Sequence, residues 1–262
     1  MGVQRKLSLQ KAQQLFCDFE IETLTPTKDG VMDTTYLSKY YVLKYYEREI
    51  GEKISHDTKL LERLSQARLN TPRHLAQNQG WHLYTRLQGE TPKNTQLYHI
   101  QSLARFMAKM HQETSQYHCS TLFLEQYQLK KTLSSLKKEF FYYYKKFQTL
   151  QNIKEQNDGF IHGDIFCDNT LFEGEKIAVF DFIDGACGAF SFDIAVALVA
   201  FNPHKRHSFT QLFLNTYNQK APKKIQKKEL LAQIKIAAKL YALLRIQKHK
   251  TTTKAQQLAN LW

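Results

Sequence analysis

The sequence has 262 residues, of which 42% are hydrophobic, 13% aromatic and 23% charged. A chain of this length and composition can bury a substantial core, and its many aromatic residues argue against intrinsic disorder. Its formal net charge is +13, but the lysines are scattered in short runs, which favours a solvated basic surface over a nucleic-acid interface. No segment approaches the roughly 18 apolar residues of a membrane-spanning helix. We therefore predict neither a nucleic-acid partner nor membrane association.

The four cysteines are Cys17, Cys119, Cys167 and Cys187, and they form neither a CxxC pair nor a zinc-type spacing with histidines. Free thiols in a reducing compartment are the simplest interpretation of this pattern. Residues 1–14 contain no apolar segment of signal-peptide length. These features together predict a cytoplasmic protein.

The first part of the chain predicts a small antiparallel sheet accompanied by two helices. The expected elements are a helix over 8–17, strands over 19–25, 31–37 and 40–47, a helix over 56–68 and a strand over 81–87. Ser8 is the candidate N-cap of the first helix, and Leu60, Leu61 and Leu64 share one face of the second. We place the N-terminal lobe at residues 1–89, with nucleotide binding as its expected task.

After residue 95 the apolar spacing becomes helical. The expected elements are long helices over 96–118 and 121–153, short strands over 159–162 and 176–181, and helices from about residue 193. Strands followed by helices predict an α+β, bilobal fold in which residues 90–262 form a mainly helical lobe. The aromatic run at 140–144 is typical of packing rather than of ligand binding.

The centre of the sequence carries His162 and Asp164, with Asn169 five residues further on, which is the spacing of a kinase catalytic loop. Twelve residues after Asn169, an apolar strand ends at Asp181. Phosphoryl transfer needs positioning and charge neutralisation more than covalent help from the protein. Asp164 would orient or deprotonate the attacking hydroxyl, and His162 would brace the loop through hydrogen bonds. Asn169 and Asp181 would ligate Mg²⁺.

Each of these residues alone also has an ordinary structural explanation. His162 could be a satisfied core histidine, and Asp164 could be a turn residue. Of the neighbouring acids, Asp193 is expected to be a helix N-cap and Asp184 a solvated loop residue. The complete pattern, with its flanking strands, favours catalysis.

The N-terminal lobe carries the candidate nucleotide contacts. Lys44 stands in the middle of a predicted strand, where kinases place the lysine that contacts the α- and β-phosphates. Glu62 on the following helix is its expected ion-pair partner, with Glu52 as the alternative. The turn at 28–31 occupies the position of a phosphate loop, although it contains a single glycine. The segment 84–87 is the expected hinge to adenine, which makes Thr85 and Leu87 candidate cofactor contacts.

These motifs resemble the aminoglycoside phosphotransferase and choline kinase superfamily. The resemblance rests on the catalytic loop at 162–169, on Phe180-Asp181-Phe182 and on Phe192-Asp193-Ile194-Ala195. Within the superfamily, the blocks at 30–36, 84–89 and 181–187 are most similar to bacterial homoserine kinases.

The resemblance implies ATP and Mg²⁺ as cofactors and the phosphorylation of L-homoserine to O-phospho-L-homoserine, a step of threonine biosynthesis in the cytoplasm. It also implies that Gly30, Val31 and Thr34 cover the phosphates. Other acceptors stay open, namely a small amino alcohol such as choline or ethanolamine, or an aminoglycoside. A non-catalytic basic binding protein is the alternative from a different functional class.

Overall fold

A computed structural model describes residues 3–27, 32–201 and 206–258, apart from the side chains of residues 206, 207 and 254. The chain divides into two compact units. The first unit consists of Met1–Gly89 together with Ala178–Ile183, and the second consists of Glu90–Ile177 and Asp184–Trp262. The predicted N-terminal lobe, residues 1–89, does not contain residues 178–183. These residues, which include the candidate metal ligand Asp181, belong to the first unit.

The first unit is built on a five-stranded antiparallel sheet. Its elements are α1 (Leu9–Leu15), β1 (Thr25–Pro26), β2 (Thr34–Leu37), β3 (Tyr41–Tyr45), α2 (Lys53–Gln66), β4 (His74–Asn78) and β5 (Trp81–Thr85). The strand order is β1-β2-β3-β5-β4. The register places Lys44 of β3 between Thr35 of β2 and His82 of β5, so this lysine lies on the central strand of the sheet.

Both predicted helices of the first unit are confirmed. Ser8 caps α1, since its hydroxyl accepts a hydrogen bond from the Lys11 amide at 3.1 Å. Helix α2 buries Leu60, Leu61 and Leu64 and begins three residues before the predicted start.

Two strand predictions need correction. The strand expected over 19–25 is reduced to Thr25–Pro26, because Ile21 packs into the core beside α1 and its carbonyl oxygen accepts from the Gln13 side chain instead of a neighbouring strand. Strand β4 was missed. Its signal is the dipeptide Gln79-Gly80, whose two positive φ angles, 49° and 79°, form the two-residue connection to β5.

The second unit is mainly helical. Its helices are α3 (Leu97–Thr114), α4 (Leu129–Leu136), α5 (Phe141–Phe147), α6 (Phe190–Phe201), α7 (Arg206–Tyr217), α8 (Lys227–His249) and α9 (Thr253–Gln256). The short strands that follow α5 are β6 (Gly159–Ile161), β7 (Thr170–Glu173), β8 (Lys176–Val179) and β9 (Ala186–Gly188). Strand β6 pairs with β9 and β7 pairs with β8, and the chain enters the first unit within β8. The apolar helix α6 is buried along nearly its whole length and packs on α8 and α3.

The long helix predicted over 121–153 is wrong. The backbone turns at Gln128, which has a φ of 44°, and leaves the helical conformation again at Phe140. Several apolar residues whose spacing suggested one helix are nevertheless buried, namely Leu133, Leu136 and Phe147. Such spacing fixes which side chains are buried, but it does not require a continuous helix between them.

The prediction of four free thiols is also wrong, because Cys119 and Cys187 form a disulfide. The Phe123 amide donates to the Cys187 carbonyl oxygen at 2.8 Å, which holds the chain near Cys119 against β9 and brings the two Cα atoms within 5.5 Å. Cys17 and Cys167 are free. The cytoplasmic location therefore stays a prediction, and the cysteines no longer support it. None of the helices in the described parts of the chain has the length and apolar character needed to cross a membrane.

Candidate active site

The predicted catalytic loop connects β6 to β7 in the second unit. Gly163 has a φ of 71°, and a Cβ atom there would lie 2.0 Å from the Phe123 ring, so both the backbone and the space require glycine. The Asp164 amide donates to Nδ1 of the buried His162 at 3.2 Å, which agrees with a bracing role for this histidine. The Phe166 amide donates to the Asp164 carbonyl oxygen at 2.8 Å and tightens the turn.

Asp164 and Asn169 are brought into direct contact. Nδ2 of Asn169 donates to the Asp164 carbonyl oxygen at 2.8 Å and to the carboxylate oxygen Oδ2 at 3.0 Å. Because its nitrogen is engaged in this way, the amide of Asn169 presents its oxygen on the opposite side, as a neutral ligand for a hard cation. The loop thus joins a carboxylate and an amide oxygen in one fixed arrangement.

A buried carboxylate accepts hydrogen bonds from the backbone of this loop. Asp193 is fully buried in the first turn of α6 and accepts from the amides of His162 at 3.2 Å and Gly163 at 2.6 Å. Nε2 of His111 lies 3.0 Å from the same carboxylate, and Nδ1 of His111 lies 2.8 Å from the Tyr217 hydroxyl. The tautomer with its proton on Nε2 satisfies both contacts, because the tyrosine can then donate to Nδ1.

Asp193 was predicted to be the N-cap of its helix, and this is wrong. The Phe190 amide at the start of α6 donates instead to Asp158 at 3.1 Å. No sequence pattern indicates a role for His111, which is 82 residues away from its partner Asp193.

A second contact reaches the loop from α8, where the hydroxyl of Tyr241 donates to the Gly163 carbonyl oxygen. Tyr127 lies near this hydroxyl, and burial raises its pKa, with smaller contributions from the negative charges of Asp164 and Asp184. Sequence reasoning missed both tyrosines. They place neutral donors beside the candidate base.

Acidic groups are concentrated around Tyr127, although the protein as a whole is basic. Burial raises the pKa of Glu155 to about 7, against the opposing effect of the Leu124 amide, which donates to both of its carboxylate oxygens at 2.9 Å. A cavity of about 610 Å³ adjoins this region. The side chains lining it include Glu125, Glu155, Gln128, Lys130 and Lys131. This lining carries two carboxylates and two lysine ammonium groups, and it includes no residue of the catalytic loop.

In the first unit, Lys44 is surrounded by carboxylates. Its ammonium lies 2.6 Å from Asp181 and 3.8 Å from Asp33. Burial acts to lower the pKa of Lys44, but Asp181, Asp33 and Asp57 together outweigh it and raise the pKa above its ordinary value. Lys44 therefore stays charged and is suited to neutralise phosphate oxygens.

Asp181 follows β8 in a left-handed conformation, with a φ of 70°, which aspartate tolerates better than most residues. The Val179 amide donates to the Asn70 carbonyl oxygen at 3.1 Å and anchors this segment within the first unit. The Asp181 side chain keeps 38% of its surface exposed, compared with 14% for Lys44. The carboxylate is thus fixed by its neighbours and still accessible to a ligand.

The expected partnership of Lys44 with Glu62 is corrected. Glu62 and the alternative Glu52 are both exposed, whereas Asp57 on the same helix α2 is buried and its charge raises the pKa of Lys44. Asp57 lies three residues before Leu60 and therefore on the buried, apolar face of α2. Glu62 lies on the exposed face of the same helix.

Thr34 also takes a different role from the predicted phosphate contact. It is fully buried, its hydroxyl donates to Glu47 at 2.6 Å, and the amides of Gln4 and Arg5 donate to the same oxygen. Thr34 therefore joins the N-terminal segment to the sheet. Gly30 and Val31, the other two predicted phosphate contacts, lie outside the described residues.

At the expected hinge, the Thr85 amide and hydroxyl are both used within the sheet. The amide donates to the Arg73 carbonyl oxygen at 3.0 Å, and the hydroxyl accepts from the Arg73 amide at 2.9 Å. The amide of Thr85 is therefore not available to adenine. Leu87 is half-buried beyond the end of β5, and its adenine contact stays a prediction.

A preformed metal cage is absent from residues 3–27, 32–201 and 206–258, where no three His, Cys, Asp or Glu side chains are grouped suitably. Mg²⁺ usually takes one or two protein oxygens and completes its shell with phosphates and water. Asn169 and Asp181 supply oxygens of the appropriate kind.

Comparison with known proteins gives three findings. The profile of the phosphotransferase enzyme family matches residues 23–226. A homoserine kinase of Rhodopseudomonas palustris (strain BisA53) is 32% identical over 96 residues, which are 35% of this chain and 29% of that protein. The matched region thus spans less than a third of the length of this relative.

Solved structures of two kinases resemble the whole chain. An amicoumacin kinase in complex with AMP-PNP, Ca²⁺ and Ami has a TM-score of 0.72 at 18% identity, covering 97% of this chain and 90% of that one. An ADP-bound aminoglycoside phosphotransferase has a TM-score of 0.66 at 18% identity, covering 97% of both chains. These similarities confirm the predicted α+β, kinase-like fold class. Because the family profile covers more than half of the sequence, the chain belongs to the phosphotransferase enzyme family.

Proposed function

We propose that the protein transfers the γ-phosphate of ATP to the hydroxyl of a small alcohol that also carries an amino group, with L-homoserine as the first candidate. The observation that carries this proposal is the loop in which Asn169 holds the Asp164 carboxylate at 3.0 Å. A carboxylate fixed in this way is suited to receive the proton of an attacking hydroxyl.

In the proposed reaction, Asp164 orients the acceptor hydroxyl and takes its proton. The hydroxyl oxygen forms a bond to the γ-phosphorus, the bond from phosphorus to the β–γ bridging oxygen breaks, and ADP leaves with the bonding electrons. His162 keeps the Asp164 peptide in place through its 3.2 Å hydrogen bond.

The residues of the first unit serve the nucleotide. Lys44 would contact the phosphates as a permanently charged ammonium, and Asp57 and Asp33 keep it charged and in place. When bound, Mg²⁺ would neutralise charge on the β- and γ-phosphates. Asp181, and from the loop Asn169, are the residues that would hold it.

An amino group on the acceptor is supported by the acidic surroundings of Tyr127. Asp164, Asp184 and Glu155 all act on the pKa of this tyrosine, so their carboxylates lie around one point. L-Homoserine carries an ammonium group, and the partial similarity to a homoserine kinase favours it over other amino alcohols.

A larger polyamine such as an aminoglycoside is the second candidate. The whole-chain similarity to a solved aminoglycoside phosphotransferase supports this candidate.

The test is an ADP-release assay with Mg·ATP that compares L-homoserine, choline, ethanolamine, L-serine and an aminoglycoside. Turnover with L-homoserine alone supports the first candidate, and turnover with the aminoglycoside alone replaces it by the second. If none of these acceptors raises ADP release above that of the Asp164→Asn variant, the proposed function is wrong.

A further inference from the structure

Tyr241 on α8 is 78 residues distant in sequence from the catalytic loop, yet its hydroxyl donates to the Gly163 carbonyl oxygen. Its side chain is 8% exposed, and its ring packs against Phe166 of the loop with ring centroids 4.9 Å apart. The contact thus combines a buried hydrogen bond with ring packing on the same short segment.

The Gly163 carbonyl belongs to the peptide group whose nitrogen is that of Asp164. Since a peptide group is planar, fixing its oxygen also fixes the direction in which the Asp164 backbone begins. The nitrogen end of the same group donates to His162 at 3.2 Å. The peptide that leads to Asp164 is therefore held at both its oxygen and its nitrogen.

Gly163 makes this restraint necessary. Glycine has more backbone freedom than any other residue, and here it adopts a φ of 71° directly before the candidate base. Asp193 holds the peptide before Gly163 by accepting from its amide at 2.6 Å, but this bond leaves rotation about the Gly163 ψ angle open. The Tyr241 hydrogen bond at the oxygen and the His162 contact at the nitrogen together restrict that rotation.

We propose that Tyr241 is a positioning residue that orients the Asp164 carboxylate by holding the Gly163 carbonyl oxygen. This inference rests on the proposed role of Asp164 as the base. In this role Tyr241 acts through the backbone of the loop.

Burial keeps the Tyr241 hydroxyl able to donate. It raises the pKa of Tyr241 well above its ordinary value, so the hydroxyl stays protonated near neutral pH and can hold the Gly163 carbonyl oxygen.

The experiment compares Tyr241→Phe with Tyr36→Phe. Tyr36 is a matched control because it is also buried and its hydroxyl also donates to a backbone carbonyl oxygen, that of Arg5 at 3.1 Å, far along the chain from the loop. Because the Tyr36 hydroxyl also accepts from the Leu7 amide at 3.0 Å, Tyr36→Phe loses two hydrogen bonds. It should therefore lower the melting temperature at least as much as Tyr241→Phe, for which we expect a loss of ~2–4 °C. Only Tyr241→Phe should lower kcat, by roughly 10- to 100-fold, with the KM for ATP within twofold of wild type.

Amide hydrogen exchange of the loop provides a readout that does not depend on the acceptor. Peptides covering residues 159–169 should exchange faster in Tyr241→Phe than in Tyr36→Phe when both are fully folded. If wild-type protein phosphorylates none of the acceptors, the proposed function fails, while the exchange data still decide whether Tyr241 holds the loop. Equal exchange in the two variants, or equal kcat values, would overturn the inference.

Discussion

The candidate nucleotide residues of the first unit and the catalytic loop of the second unit are held by different kinds of interaction. In the first unit, Lys44 and Asp181 are positioned by charge at 2.6 Å, and Asp181 stays 38% exposed. In the second unit, the loop that carries Asp164 is positioned by buried hydrogen bonds of its backbone with Asp193 and Tyr241. A partly exposed ion pair can exchange partners with an incoming phosphate, whereas buried bonds to the backbone fix geometry before any ligand arrives.

This difference suggests a division of tasks. Neutralising phosphate requires charge in approximately the right place, and a metal ion or a phosphate can adjust its position. Orienting a base requires an angle and a distance, which only a rigid environment maintains. Substitutions in the first unit should therefore change nucleotide binding first, and those around the loop should change turnover first.

The largest effect is expected for Asp164→Asn. The amide cannot accept the proton of the acceptor hydroxyl, so kcat should fall by roughly 10³-fold or more while the affinity for Mg·ATP is maintained. Steady-state kinetics and nucleotide titration measure the two quantities. Asp168→Asn, which changes an exposed acid of the same loop, is the control and should retain near wild-type kcat. Wild-type rates in Asp164→Asn would refute the loop assignment.

Asp193→Asn should have the next largest effect, on stability. One oxygen of this buried carboxylate would be replaced by an NH₂ group that faces donors from His162, Gly163 or His111. Leaving such donors without an acceptor should cost ~3 kcal/mol in the free energy of unfolding. Urea denaturation measures this, with the exposed Asp168→Asn as reference. A loss below ~1 kcal/mol would mean that Asp193 does not organise the loop.

The charge of Asp57, which acts on Lys44, gives a prediction for the first unit. Asp57→Asn should lower kcat/KM for ATP by roughly tenfold, because the ammonium loses one of the negative charges that raise its pKa. Glu62→Gln on the exposed side of the same helix should leave kcat/KM for ATP unchanged. The opposite outcome, with a loss in Glu62→Gln alone, would restore the original assignment.

The features that sequence reasoning found are local in the chain. The catalytic-loop spacing of Asp164 and Asn169 lies within six residues, and the cap of α1 lies within four. Such patterns can be recognised in a sequence because neighbouring residues must adopt one backbone conformation together. The apolar face of α2 was equally clear, and it already contained the information that Asp57 points inward and Glu62 outward.

The features that were missed depend on long-range packing. Tyr241 meets Gly163 across 78 residues, His111 meets Asp193 across 82, and Cys119 meets Cys187 across 68. A histidine or tyrosine inside an apolar helix looks the same in sequence whether it fills the core or supports a loop. Only the fold decides which of them faces the catalytic loop.

The smallest effect should appear at Glu155, a half-buried partner of a backbone amide in the second unit. Burial raises its folded-state pKa from about 4.5 to about 7, so the folded protein holds this proton more tightly than the unfolded chain. The contribution of Glu155 to stability is therefore fully present below pH 4.5 and is lost as the pH rises through 7. Glu155→Gln, which keeps an oxygen to accept from Leu124, should equal wild type near pH 5 and exceed its melting temperature by ~1–3 °C at pH 8.

The control for this pH series is Glu139→Gln, which removes an exposed negative charge from the same unit. Its melting temperature should differ from wild type by the same small amount at every pH. If Glu155→Gln behaves like this control, the carboxyl is not desolvated in the folded protein. A gain that appears only above pH 6 would instead place Glu155 among the buried bonds that distinguish the second unit, because only a desolvated carboxylate regains stability when its charge is removed.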